Sequence, residues 1–205
     1  MPRVTIAEQY ENGFTLLEAL VVVAIGLIVT TIGVPRMSNA IANQKLRASM
    51  TSISGLLQNT RMIAVQQNKT KTACHYTRTS VPNALFYFVK DATVCTSGMA
   101  PATTDPQVEL EAPIVPLDEP TGTGAPPKID NAVMGFSIDP LTTDPSFNSR
   151  GLPCAYAGGT CTTNSPFIQY FRDDRVGVAG GWAAISITSA GRIKRWFWNG
   201  STWTD

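Results

Sequence analysis

The chain has 205 residues, 43% of them hydrophobic and 15% charged, with a formal net charge of +1. That balance excludes a protein that binds polyanions through bulk charge and leaves any nucleic-acid contact to a local patch. With residues 1–13 set aside as a leader and 14–67 as an N-terminal helix, roughly 140 remain, enough for one globular core.

In chain order, residues 1–13 carry Arg3, Glu8 and Glu11, a net −1, so their loss moves the formal charge from +1 to +2. From Phe14 to Val34 runs an apolar stretch of about 21 residues, long enough to span a bilayer, whose only charge is Glu18. An ionised acid inside such a stretch costs about 2.5–3.5 kcal/mol on insertion scales, which marks Glu18 as a functional residue in need of a cationic partner. The stretch itself holds no Lys, Arg or His. Two plainer readings compete: a secretory signal peptide cut among Ser38, Ala40 and Ala42, and a single-pass anchor with Glu18 reaching the interface. The first requires a shorter apolar region and a more basic start than this chain has.

Beyond Pro35, apolar residues at Met37, Ala40, Ile41, Ala48, Ile53, Leu56, Leu57, Ile63 and Ala64 recur at steps of three and four, predicting an amphipathic helix over 36–67. Phe14 to Gln67 would then form one long helix, with Gly26, Gly33 and Pro35 as places where it bends. From Thr70 onward the pattern changes to strands, predicted at 72–79, 85–90, 133–138, 167–172, 182–188 and 192–198 and bounded by Gly, Pro, Asn or Asp. The expected result is an antiparallel sheet leaning on the helix. Seven prolines between Met99 and Lys128 predict a long extended loop outside the core. Residues 144–161 form a second loop-rich insertion, Ser189-Ala190-Gly191 joins two strands, and Asn199-Gly200 signals a type I′ turn that folds Ser201 to Trp203 back.

Cys74, Cys95, Cys154 and Cys161 all follow the apolar stretch and lack the C-x-x-C spacing of zinc or thioredoxin-like sites. They read as disulfides of an oxidising compartment, with buried free thiols as the alternative. Of the three pairings that four cysteines allow, Cys74 with Cys95 and Cys154 with Cys161 are each local. His75 is the single histidine, and no G-x-S-x-G, H-E-x-x-H, P-loop or dinucleotide fingerprint is present, so neither an enzyme, a cofactor nor a metal site is expected. In a strand of period two, Arg192, Lys194, Trp196 and Trp198 share one face and Ile193, Arg195 and Phe197 the other. A face alternating cations with indoles suits a nucleic-acid backbone running past stacking platforms. The competing arrangement buries the tryptophans and leaves the cations solvated.

Gly13-Phe14-Thr15-Leu16-Leu17-Glu18 ahead of an apolar helix resembles the processing site of type IV prepilins and type II secretion pseudopilins. The resemblance implies an α+β fold with a long N-terminal helix on an antiparallel sheet. It divides the chain into a leader (1–13), a transmembrane and assembly helix (14–35), its amphipathic continuation (36–67) and a β-rich domain (68–205) containing the proline-rich loop 99–128. It also implies cleavage after Gly13 by a prepilin peptidase that N-methylates Phe14, and pairing of Glu18 with the amine of a neighbouring subunit. Pro35 falls where many pilins carry a helix-kinking proline. Phe147, the Arg150-Gly151-Leu152-Pro153 loop and the final strands joined through Gly191-Arg192 look like the GspH/FimT branch, whose members are minor subunits. Some members bind DNA through a Gly-Arg-x-Arg stretch, matched here by Gly191-Arg192-Ile193-Lys194 with Lys194 in place of the second Arg and Arg195 following. The implied partners are other pilin or pseudopilin subunits, the prepilin peptidase and N-methyltransferase, the inner membrane and, in the alternative reading, DNA. The implied location is the bacterial inner membrane with a periplasmic C-terminal domain, then a pilus or pseudopilus. A membrane-anchored secreted enzyme using His75 is the third reading.

Overall fold

A computed structural model describes residues 15–78, 84–91, 94–96, 98–110, 114–122, 124–136, 144–157, 159–163, 165–174 and 181–205, with the backbone alone at 32–36, 38, 39, 84 and 163. The predicted leader, Gly13 and Phe14 lie outside the described residues. The fold is α+β: helix α1 (Leu16–Gln66) precedes strands arranged in two antiparallel sheets. The chain divides into two compact units, Met1–Ala40 and Ile41–Asp205.

In the first unit, Thr15 opens α1 by accepting the amide of Glu18 at its hydroxyl, 3.3 Å, the N-cap bond expected of a Thr-x-x-Glu sequence. The helix continues without a break through Gly26, Gly33 and Pro35, where the sequence predicts bends. Leu16 is 84% exposed, and Leu17, Leu20, Val22, Ile25 and Ile28 are likewise open. Among the described residues no helix is long and apolar enough to cross a membrane. The stretch with described side chains ends at Thr31, whereas the sequence stays apolar to Val34, so the predicted span extends past the described side chains.

In the second unit, α1 buries Ala42, Leu46, Met50, Ile53, Leu57, Thr60 and Ala64, a stripe at steps of three and four. Ile41 and Ala48, predicted on the apolar face, are exposed, as are Met37 and Ala40 in the first unit. The stripe follows Leu46 and Met50 instead, because those side chains meet the sheets. The helix stops where Asn68 takes a left-handed conformation, φ 51°, and the Lys69 amide turns back to the Ala64 carbonyl.

The first sheet orders β3 (Gln107–Leu110), β2 (Ala84–Asp91), β1 (Lys71–Arg78), β5 (Ser146–Phe147), β6 (Pro153–Ala157) and β7 (Thr160–Thr163). The second orders β11 (Trp203–Thr204), β10 (Ile193–Trp198), β9 (Trp182–Ile187), β8 (Phe167–Asp173) and β4 (Ile114–Leu117). Ala73, Leu85, Tyr87 and Val89 of the first sheet and Phe167, Phe171, Ala183, Ile185 and Ile187 of the second pack with the helix stripe in one core. Alternate residues on the other face of the second sheet, Ile168, Tyr170, Ala184 and Trp196, form a second cluster closed by Ile129 and Met134.

Three expectations are corrected. The predicted strand at 133–138 begins instead in helix α2 (Asn131–Met134), because the Asp130 side chain accepts the Ala132 amide and Gly135 ends the turn at φ 79°; residues 137 and 138 lie outside the described residues. The proline-rich segment is no plain loop: it contributes an edge strand to each sheet, β3 and β4, and buries Leu110 and Ile114 in the main core. Its prolines fit because edge strands leave one side of the backbone unpaired. The final turn spans 199–202 and not two residues, held by Asn199 Oδ1 accepting the amides of Ser201 and Thr202 at 2.9 and 2.8 Å.

Leu57 is 1% exposed, on the face of α1 that both sheets cover. Leu57→Ala is expected to lower the unfolding free energy of the Ile41–Asp205 unit by about 2–5 kcal/mol in urea titration, while Gln58→Ala, on the open side of the same turn, changes it by less than about 0.5 kcal/mol.

Candidate functional site

Glu18 lies in the first turn of α1, exposed, three residues after the capping Thr15 and amid exposed leucines and valines. Its side chain has no cationic partner among the described residues. A carboxylate at a helix N-terminus is favoured by the helix dipole, which accounts locally for an acid at that place. It also leaves the charge pointing outward from an apolar surface that something else must cover. Gly13 and Phe14, the other two residues of the processing pattern, fall outside the described residues.

The structure separates the residues of the predicted cation and indole face. Trp196 is 2% exposed, in the second cluster, and its indole N–H donates to Ser186 Oγ at 2.8 Å, so it offers no ring for stacking. Lys194 lies 4.9 Å from the Trp196 ring centroid and pairs with Asp205 at 3.3 Å. Trp198 is half-buried and packs against Trp203. Arg195 lies on the opposite face, donating to Thr51 of α1 at 2.9 Å, beside Phe197, which holds Arg47 over its ring at 4.4 Å. Arg192 precedes the strand and is exposed. The sequence pattern gave the alternation correctly but not what covers each face.

A different convergence is present. Arg61 of α1, half-buried, donates to the Gly191 carbonyl at 3.1 Å. A Cβ on Gly191 would stand 3.2 Å from the Arg61 guanidinium carbon and 3.3 Å from the Gly151 carbonyl; one on Gly151 would stand 3.0 Å from Val65 and 3.1 Å from Arg61. Both glycines have positive φ, 81° and 73°, so each turn needs glycine for its backbone as well as for its space. The Gly151 turn is fixed by Asn148, whose Oδ1 accepts the amides of Arg150 and Leu152. The Gly191 turn is fixed by Thr188, which accepts the Gly191 amide at its carbonyl and the Arg192 amide at its hydroxyl. The sequence marks both glycine turns; Arg61, which joins them, has no local signal because its partners are distant in the chain.

Cys74 is joined to Cys95 and Cys154 to Cys161, with Cα separations of 5.6 and 5.4 Å. The first bond ties β1 to the segment after β2, and the second crosses the β6–β7 hairpin.

His75, on β1, faces Asp144 with Nδ1 and Oδ1 2.9 Å apart, and its neighbour across the pair of strands is Tyr87. The hydrogen bond to Asp144 raises the imidazole above its ordinary value; burial opposes this, and the charges of Asp144 and Asp118 add to it. Burial, with the same two charges, drives the Tyr87 hydroxyl well above the usual tyrosine range. Asp144 leads into Pro145, whose carbonyl accepts the Ala73 amide at 3.0 Å, so the pair secures the return of the chain to β1. Because folding raises the His75 value, its contribution to stability is complete below the unfolded value near 6.5 and is lost as pH rises through the folded one. The urea midpoint is therefore expected to fall as pH rises above about 6.5, and Asp144→Asn to flatten that fall.

Residues 9–34 match the family model described as the prokaryotic N-terminal methylation motif. No curated protein and no solved structure matches the chain. The match covers the cleavage pattern, Glu18 and the apolar start of α1, so the chain carries the N-terminal signal of type IV pilin-like precursors, which implies processing by prepilin peptidase.

Proposed function

We propose that the chain is a minor pilin or pseudopilin of the GspH/FimT kind, inserted in the inner membrane as a precursor, cut after Gly13, N-methylated at Phe14 and assembled into a type IV pilus or type II secretion pseudopilus. The observation that carries the reading is Glu18: an exposed carboxylate in the first turn of an exposed apolar helix, within the methylation motif. Leu16, Leu20, Val23, Leu27 and their neighbours require cover, either from lipid before assembly or from other subunits' helices after it. In such a low-dielectric bundle a carboxylate is tolerated only beside a cation, and the new N-terminal amine of an adjacent subunit supplies one at the same depth. That pairing fixes the axial register of each incoming subunit.

The remainder of the chain suits display. Two edge strands built from a proline-rich segment and a disulfide-crossed hairpin give the Ile41–Asp205 unit an irregular surface, as befits a subunit present in few copies. His75 belongs to the fold in this reading, held by Asp144 at the entry to β5, and the function is structural and not enzymatic.

Glu18→Leu is expected to leave the membrane pool of the chain unchanged and to reduce its share of sheared filaments by at least about tenfold, the loss of one buried charge pair. Quantitative immunoblotting of membrane and sheared fractions measures both, and normal incorporation of Glu18→Leu would count against the reading.

A further inference from the structure

Arg61, Arg150 and Arg192 surround the junction of the two glycine turns. Arg150 directly precedes Gly151 and Arg192 directly follows Gly191, both arginines are exposed, and the two glycines meet over Arg61. None of the three has a carboxylate partner among the described residues, although Lys71, Lys90, Lys128, Arg172 and Lys194 of the same unit are each paired with an acid. Arg61 is the telling member. Its guanidinium has five N–H donors and is half-buried, yet it has a single acceptor among the described residues, the Gly191 carbonyl. The donors that the Gly191 carbonyl does not use are available to an incoming oxyanion, which a guanidinium binds through paired N–H···O bonds.

We infer that Arg61, Arg150 and Arg192 form a docking site for a compact acidic segment of another protein, one that brings neighbouring carboxylates to the junction of the two turns. Carboxylates fit better than a nucleic-acid strand for a geometric reason. A phosphodiester backbone needs a track of cations, and the next cations along the chain do not extend one: Lys194 is held by Asp205, and Arg195 is turned to Thr51, two to three turns and about 15 Å along α1 from Arg61. The charge is therefore confined to one spot. Both turns are already fixed by Asn148 and Thr188, so the backbone bearing Arg150 and Arg192 is in place before a partner arrives, which limits the ordering cost of binding. The inference is independent of filament assembly, since it concerns the Ile41–Asp205 unit alone.

The test uses the full chain in nonionic detergent, with a fluorescein-labelled polyglutamate peptide and a single-stranded oligonucleotide of matched charge, followed by anisotropy across a salt series. The peptide is expected to bind in a salt-sensitive manner, at least about tenfold more weakly to the Arg150→Gln/Arg192→Gln variant and within about twofold of the native affinity to Lys194→Gln/Arg195→Gln. Both variants alter exposed or peripheral side chains, and circular dichroism checks that each is folded. Arg61→Lys, which keeps the charge and loses the planar fork, is expected to weaken the peptide without abolishing binding. Absence of peptide binding at low salt, equal binding by the Arg150→Gln/Arg192→Gln variant, or tighter binding of the oligonucleotide than of the peptide would overturn the inference, the last by assigning the patch to nucleic acid.

Discussion

The second unit depends on one constraint: the helical stripe from Ala42 through Leu46, Met50, Ile53 and Leu57 to Ala64 must be covered, and neither sheet alone does so. Side chains from β1 and β2 meet it from the first sheet and those from β8 and β9 from the second, so the helix is the element on which both sheets are registered. Burial of a leucine or methionine of this kind stabilises by about 1.5–3 kcal/mol. The remaining features follow. The segment between β2 and β5 crosses from one sheet to the other because each needs an edge, and Arg61 reaches both glycine turns because the stripe fixes the rotation of α1.

The first unit obeys an opposite rule. Among its described residues, the leucines, valines and isoleucines with described side chains are open, where those of the helical stripe in the second unit are covered, and the one described acid stands in the first helical turn. An apolar helical surface of this extent is not stable against water and must be completed by lipid or by other chains. The same helix thus carries a stripe satisfied within the chain and a stretch that is satisfied only by something outside it. The methylation motif, residues 9–34, falls wholly within the first unit.

Much of this was legible in the sequence. The strands at β1, β2, β8, β9 and β10 were visible because β-branched and aromatic residues run between Gly, Pro, Asn and Asp, a signal that local chemistry fixes. Glu18 was legible because a lone charge in an apolar run has few neutral explanations. What was not legible depended on partners far along the chain. Val133 looked like the start of a strand until Asp130 and Gly135 capped a single helical turn around it. Leu110 and Ile114 read as loop because their prolines obscured two edge strands whose mates lie elsewhere in the sequence. Trp196 read as an exposed platform because period two reveals which residues share a face and not what lies over that face; Ile129 and Met134 do. Arg61 gave no sign at all, since its value lies in two glycine turns roughly 90 and 130 residues further on.

The central claim is that this chain is handled as a type IV pilin-like precursor. Co-expression with a prepilin peptidase, followed by intact-mass measurement and N-terminal sequencing of the membrane-bound product, tests it most directly. The account predicts a chain that begins at Phe14, carries one added methyl group and retains Glu18 as the fifth residue. A product that still begins at Met1, or one cut among Ser38, Ala40 and Ala42, would contradict it.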